Sequence, residues 1–202
     1  MVITHVKVSP VERHRVLGFA SVTLCGCFVL RAMRIVDGNK RRYVAMPRRY
    51  SKEGQVFEVY HPIGKDARDT LEQVIFDEYL RACRGEVCAF EKVMIGSNCR
   101  DFRITSVKVR PFEEVKLRGF ASLVVDGCIA VTGIKIIEGK RRSFLQMPNA
   151  KKKSGRYFDL AFPIDTETRD LIESMVLSEF AKQPKDGGLE QTAGQHGASS
   201  SG

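Results

Sequence analysis

Residues Gly18 to Pro47 read GFASVTLCGCFVLRAMRIVDGNKRRYVAMP, and residues Gly119 to Pro148 read GFASLVVDGCIAVTGIKIIEGKRRSFLQMP. Ile3 and Ile104, Phe19 and Phe120, Met46 and Met147, and Arg68 and Arg169 are all 101 residues apart, so the two segments align without a gap. The chain is a tandem duplication, and that repeat has to be recognised before any fold is assigned. Each unit of roughly 80 residues can bury one modest core and gains from a partner to cover it.

Working outward, Ile3 to Val8 (ITHVKV) alternates apolar and polar as a half-buried strand does, and Ile104 to Val109 repeats it. Pro10, which has no N–H, is expected to end that strand's pairing. Phe19 to Leu24 and Cys27 to Val36 are rich in Val, Leu, Ile and Phe and form a hairpin about Gly26, matched by Gly127. Simple alternation places Arg31, Met33 and Ile35 on one face and Arg34 on the other with Leu30. Gly38 and Gly139 then reverse the chain, read here as residues tolerant of positive φ. A basic loop ending at Gly54 or Gly155 leads to another short strand. After Pro62 the period changes: Ala67, Leu71, Val74, Ile75 and Tyr79, and again Ile172, Met175, Val176 and Phe180, follow helical spacing. Asp165 suits the second helix as an N-cap better than Gly64 suits the first.

The expected fold is therefore α+β. It comprises two tandem antiparallel sheet domains, each closed by one C-terminal amphipathic helix and packed together as an intramolecular pseudo-dimer. The divisions are a first domain at 1–84, a linker with a docked segment or short helix at 85–102, a second domain at 103–182, and a Gly- and Ser-rich tail at 183–202 read as disordered. No apolar run is long enough to span a bilayer and no signal peptide is evident, which predicts a cytoplasmic protein that does not engage membranes. Six cysteines in that setting read as reduced thiols, with Cys25 and Cys27 on one strand face.

The net charge is +9: residues 1–85 hold 15 basic against 9 acidic groups, and residues 103–182 hold 15 against 10. Each repeat thus carries its own positive balance, which suits a polyanion. Two basic clusters recur. One is the hairpin tip with Lys40, Arg41 and Arg42, matched by Lys140, Arg141 and Arg142. The other is the following loop with Arg48, Arg49 and Lys52, matched by Lys151, Lys152, Lys153 and Arg156. Arg34 and Lys135 extend the patch. Such groups bridge phosphates and release counterions, or else only solvate a surface. Tyr43, Tyr50 and Phe144 lie beside them, where an aromatic ring either stacks on a base or packs at a sheet edge. Arg68 and Arg169 read as local ion-pair formers.

Catalysis is not expected. His5, His14 and His61 have Ser106, Val115 and Phe162 as repeat partners, and no Gly-rich phosphate loop, GxSxG or HExxH pattern occurs. Neither a cofactor nor a metal nor a small-molecule substrate is implied.

The succession ITHVKV, FASVTL, IVDG, VAMP, a basic loop with Gly54, and His61-Pro62-Ile63 leading into a helix with Arg68 resembles the SpoVG family, and both repeats carry it. The resemblance implies a small bacterial regulator of the septation and sporulation type that binds DNA, RNA or both and associates as a dimer. In this chain the two copies would form the dimer internally, with higher oligomers an open alternative. It also implies nucleic-acid contacts on the helix and beyond, at Arg81 and Arg84, where the second copy has only Lys182. The chain departs from the family pattern in being a tandem fusion, in Phe162 where His61 stands in the first copy, and in Asp165 where the first copy has Gly64. A rival reading is an interaction scaffold that recruits another protein through open sheet edges.

Overall fold

The structure is a computed structural model that describes residues 2–50, 54–86, 93–94, 102–112 and 114–183. The first repeat supplies strands β1 (Val2–Arg13), β2 (Val16–Leu24), β3 (Phe28–Asp37), β4 (Arg42–Ala45), β5 (Arg48–Tyr50), β6 (Val56–Glu58) and β7 (Tyr60–Pro62), then helix α1 (Lys65–Cys83). The short strand β8 (Val93–Met94) lies between the repeats. The second repeat runs β9 (Ile104–Pro111), β10 (Leu117–Val125), β11 (Ile129–Glu138), β12 (Ser143–Gln146), β13 (Asn149–Lys151), β14 (Tyr157–Asp159), β15 (Ala161–Pro163) and α2 (Thr166–Ala181).

Each repeat builds an antiparallel meander, but neither sheet is made by one repeat alone. The first sheet runs β15-β3-β2-β1-β8 with β4 also on β3, and the second runs β12-β11-β10-β9 with β7 also on β11. Strand β15 of the second repeat pairs with β3 through Ala161 opposite Leu30 and Pro163 opposite Phe28. Strand β7 of the first repeat pairs with β11 through Tyr60 opposite Val131 and Pro62 opposite Ile129. The exchange is reciprocal and keeps the 101-residue spacing, so the chain is a pseudo-dimer with an approximate two-fold axis. The amides of Ile63 and Ile164 extend it, donating to Cys128 O at 2.7 Å and Cys27 O at 2.8 Å.

A bulge makes this sharing possible. Strand β3 pairs with β15 over Phe28–Leu30 and with its own β4 over residues 34–37. Between them Ala32 takes φ 64°, and the register against β2 slips between Ala20 and Val22. The extra residue twists the strand, so two different strands dock along one edge. It also shifts the alternation, correcting the sequence expectation for this strand: Leu30, Met33 and Ile35 are all buried, while Arg31 and Arg34 are exposed. The amide of Arg31, freed from the ladder, donates to Leu160 O at 2.7 Å, and Thr132 does the same to Val59 O at 2.8 Å.

Three other expectations are corrected. Pro10 does not end β1, which continues to Arg13 with Pro10 opposite Gly18; among the described residues only Val2 and Ile3 are paired on the far side, by β8, so no described strand needs an N–H from Pro10 there. Gly38 and Gly139 do not hold positive φ; a Cβ on either would stand 2.6 or 2.5 Å from the carbonyl oxygen of Arg41 or Arg142, so glycine is needed for room. Cys25 and Cys27 lie in the β2–β3 turn, Cys25 at φ 52°, and not on a strand face.

The helices lie across the first strand of their own repeats, α1 on β1 and α2 on β9. Ala67, Leu71, Val74 and Ile75 are buried beneath α1, as are Ile172 and Val176 beneath α2. Asp165 caps α2 by accepting from Thr168 N at 2.7 Å, whereas Gly64 offers α1 no side-chain cap. A single cluster of buried apolar residues spans both repeats, from Ile3 and Phe28 to Ile129 and Val176. Phe102 stacks on Phe28 with ring centroids 5.3 Å apart. The expected short helix of the linker falls largely outside the described residues, as does the tail beyond Gln183. No described helix is long and apolar enough to cross a membrane.

Candidate nucleic-acid interface

The second basic cluster of each repeat sits on a two-stranded hairpin, β5–β6 in the first and β13–β14 in the second. These hairpins stand side by side at the pseudo-two-fold. The Arg49 guanidinium donates to the main-chain oxygen of Asn149 and reaches its Oδ1 at 3.5 Å. Burial lowers the pKa of Arg49 from the ordinary arginine value. Arg49 is thereby committed to joining the hairpins. Its counterpart by repeat spacing is Ala150, so the contact runs one way only.

Cations are distributed unevenly over the pair. Arg48 lies 3.8 Å from Glu58, and Lys52 falls outside the described residues. On the second hairpin Lys151, Lys152, Lys153 and Arg156 are exposed and form no ion pair among the described residues. Lys151 Nζ sits 5.9 Å from the Tyr157 ring centroid and Lys152 Nζ 5.4 Å from that of Phe158, contacts that leave the ammonium charge unneutralised.

The tip clusters are differently placed. Arg41 reaches Glu72 on α1 at 3.2 Å, and Arg142 reaches Glu173 on α2 at 3.4 Å. Those pairs are 101 residues apart, so the tips correspond as Lys40 with Arg141 and Arg41 with Arg142, one residue off the match suggested by the similar letters. Arg42 lies 3.5 Å from Asp37. Lys40, Lys140 and Arg141 remain exposed without an ion pair among the described residues, as does Arg34, while Lys135 is half-buried. Each tip belongs to one repeat and its helix; the hairpins belong to both.

The positions implied by resemblance are engaged locally. Arg81 is 3.9 Å from Glu78, and Arg84 pairs with Glu86. Arg68 pairs with Glu58 at 3.9 Å, across to the hairpin and not along the helix; Lys65 holds Asp69. Sequence reasoning singled out Tyr50 but missed Tyr157, because RYFD reads as an ordinary strand start. Arg156 beside an aromatic was the available signal. Burial raises the thiol pKa of Cys27 and of Cys128. Among the described residues no group of three or more His, Cys, Asp or Glu is placed to hold a metal ion.

Comparison with known proteins agrees with this architecture. The SpoVG family model matches twice, over residues 1–81 and 102–182. The chain is 34% identical over 93 residues to a protein of Anaeromyxobacter sp. (strain Fw109-5) named "Putative septation protein SpoVG", a match covering 46% of this chain and 96% of that one. Proteins of the same name from Bdellovibrio bacteriovorus and Phytoplasma australiense are 36% identical over 86 residues and 42% identical over 79. These matches cover 43% and 39% of this chain and 80% and 82% of the relatives. Each relative is about the length of one repeat. Two matched repeats, interlocked by exchanged strands, make this chain a tandem member of the SpoVG family.

Proposed function

We propose that the protein is a non-catalytic regulator that binds DNA or RNA through the paired hairpins, acting in the cytoplasm in regulation of the septation and sporulation type. The observation that carries this reading is the contact of Arg49 with Asn149, which sets a hairpin from each repeat against the other and leaves Lys151, Lys152 and Lys153 exposed beside it. A phosphate backbone crossing the axis would meet the free lysines of the second hairpin and, on the first, Arg48, whose charge is partly offset by Glu58. Fusion holds the second repeat at millimolar effective concentration, so two weak sites act as one.

The test is a titration of the full chain with random DNA and RNA fragments at several salt concentrations. For about six neutralised phosphates on duplex DNA, log K should fall against log salt with a slope near −5. A flat response, or no binding tighter than about 10 micromolar at low salt, would remove the reading.

One observation favours the scaffold alternative. The edge of β1 is partly covered by β8, whereas among the described residues no strand pairs with the outer edge of β9. An open edge can accept an extended segment of another protein. Capture of a protein partner that is lost when Pro replaces Val107, with no nucleic-acid binding, would favour it.

A further inference from the structure

We propose that the paired hairpins hold single-stranded nucleic acid, with unpaired bases stacked on Tyr50 and Tyr157 and the adjoining phosphates on Lys151, Lys152 and Lys153. This deepens the function proposed above and rests on it.

The two tyrosines are not repeat partners, since the counterpart of Tyr50 is Lys151 and that of Tyr157 is Val56. Strand pairing nevertheless brings them to equivalent places. Tyr50 faces Val56 in the first hairpin and Lys151 faces Tyr157 in the second, so both rings occupy the rung that closes the loop. Each hairpin thus presents one tyrosine there, from opposite strands. Both are strongly exposed, at 74% and 67%, in two-stranded ribbons with no core of their own to bury an aromatic ring. Val56, half-exposed at 51%, extends the apolar surface beneath Tyr50.

An exposed ring beside an unpaired ammonium suits one kind of polyanion. Bases inside a duplex are already stacked on one another and offer a side chain only their edges, whereas an unpaired base has a free face for an aromatic platform. Lys151 Nζ lies over the Tyr157 ring, 5.9 Å from its centroid, so an incoming base would displace the flexible ammonium to the ring's margin, within reach of that nucleotide's phosphate. The carboxylates of these strands, Glu58 and Asp159, are on the rung farthest from the loop, opposite Arg48 and Asn149.

The experiment uses the full chain and three labelled probes of about 20 nucleotides: a mixed-sequence single strand, the same strand with abasic sites through its middle, and the corresponding duplex. Fluorescence anisotropy at one moderate ionic strength should show the intact strand bound about tenfold or more tighter than the abasic one, which has the same charge but nothing to stack. Y50A/Y157A should abolish that difference, and Y50F/Y157F should restore it. Because the chain has no Trp and five Tyr, its own emission should be quenched by the intact strand and not by the abasic one. Equal affinity for the intact and abasic strands, tighter binding of the duplex, or an unchanged preference in Y50A/Y157A would overturn this inference while leaving nucleic-acid binding in place. Failure to bind any of the three probes at low salt would remove both.

Discussion

Ala32 and Gly133 stand at the same point of the fold, 101 residues apart, and both hold positive φ, 64° and 74°. Only glycine adopts that conformation without its Cβ crowding the following carbonyl, a cost of roughly 1–2 kcal/mol for other residues. The second repeat carries the residue suited to the bulge and the first does not. G133A should therefore lower stability by about 1 kcal/mol once the stiffer unfolded chain is counted, and A32G should be neutral or stabilising by up to about 1 kcal/mol. Urea denaturation checks both, and a loss in A32G as large as that in G133A would show that the bulge is not strained.

Exchange of β7 and β15 means that neither repeat completes its own sheet. A fragment of residues 1–84 should accordingly self-associate, using its own β7 against the vacant segment of β3 in a second copy. Sedimentation equilibrium should give a dimer, and a folded monomeric fragment would show that β15 is dispensable.

Glu72 is 5% exposed, and the partner that meets its carboxylate is Arg41, itself largely solvated. The pair is half in water, so its worth is modest. R41A should cost about 1 kcal/mol, and R41A/E72Q should recover much of it because no carboxylate is then left without a cation. A thermodynamic cycle over the four proteins measures the coupling, and zero coupling would make the tip arginine free for other work.

Replacing Lys151, Lys152 and Lys153 together by Ala should weaken nucleic-acid binding alike for unrelated sequences. The salt slope should become shallower by up to about 2.7 on duplex, or about 2.1 on single strands. R48A, whose guanidinium lies near Glu58, should change the slope by less. Equal effects of the two variants would relocate the phosphate path.

Tyr60 is fully buried, and its hydroxyl donates to Arg31 O at 2.5 Å. Burial raises its pKa well above the ordinary tyrosine value. The unfolded chain releases that proton near pH 10 while the folded chain keeps it, so stability is full below about pH 10 and falls as pH rises further, by up to about 1.4 kcal/mol per pH unit. Y60F should be about 1 kcal/mol less stable at neutral pH yet lose less on alkalinisation. The quantity to compare is the difference between the two proteins from pH 9 to 11, and parallel curves would contradict the assignment.

Much of the strand order, the helices and the cap at Asp165 was legible because each rests on local pattern: alternation, helical period, a side chain three residues from the amide it serves. What lay outside that pattern was set by distant partners. Ala32 gives no sign in sequence that it is bulged, since the reason for the bulge is β15, some 130 residues further along the chain. Arg49 looks like any loop cation until the hairpin of the other repeat is brought against it. The tips of the two repeats seemed to match letter for letter, but the ion pairs to Glu72 and Glu173 show which arginines correspond. Tyr50 and Tyr157 reach equivalent rungs only through the strand pairing of their own hairpins, which no alignment of the repeats would reveal.

In a homodimer each substitution appears on both sides of the axis, so the two halves of its surface stay identical. Here Arg31 lies over the Phe162 ring at 4.5 Å, while the matching place holds Thr132 and His61, with Thr132 Oγ1 donating to Glu58 O at 3.0 Å. Covalent joining lets the two halves differ, and among the described residues the second hairpin carries most of the unpaired charge. If the proposed binding holds, a strand laid across this surface meets unlike ends, and since a nucleic acid has a 5′ and a 3′ end the fused protein would favour one polarity, which a two-fold symmetric dimer cannot.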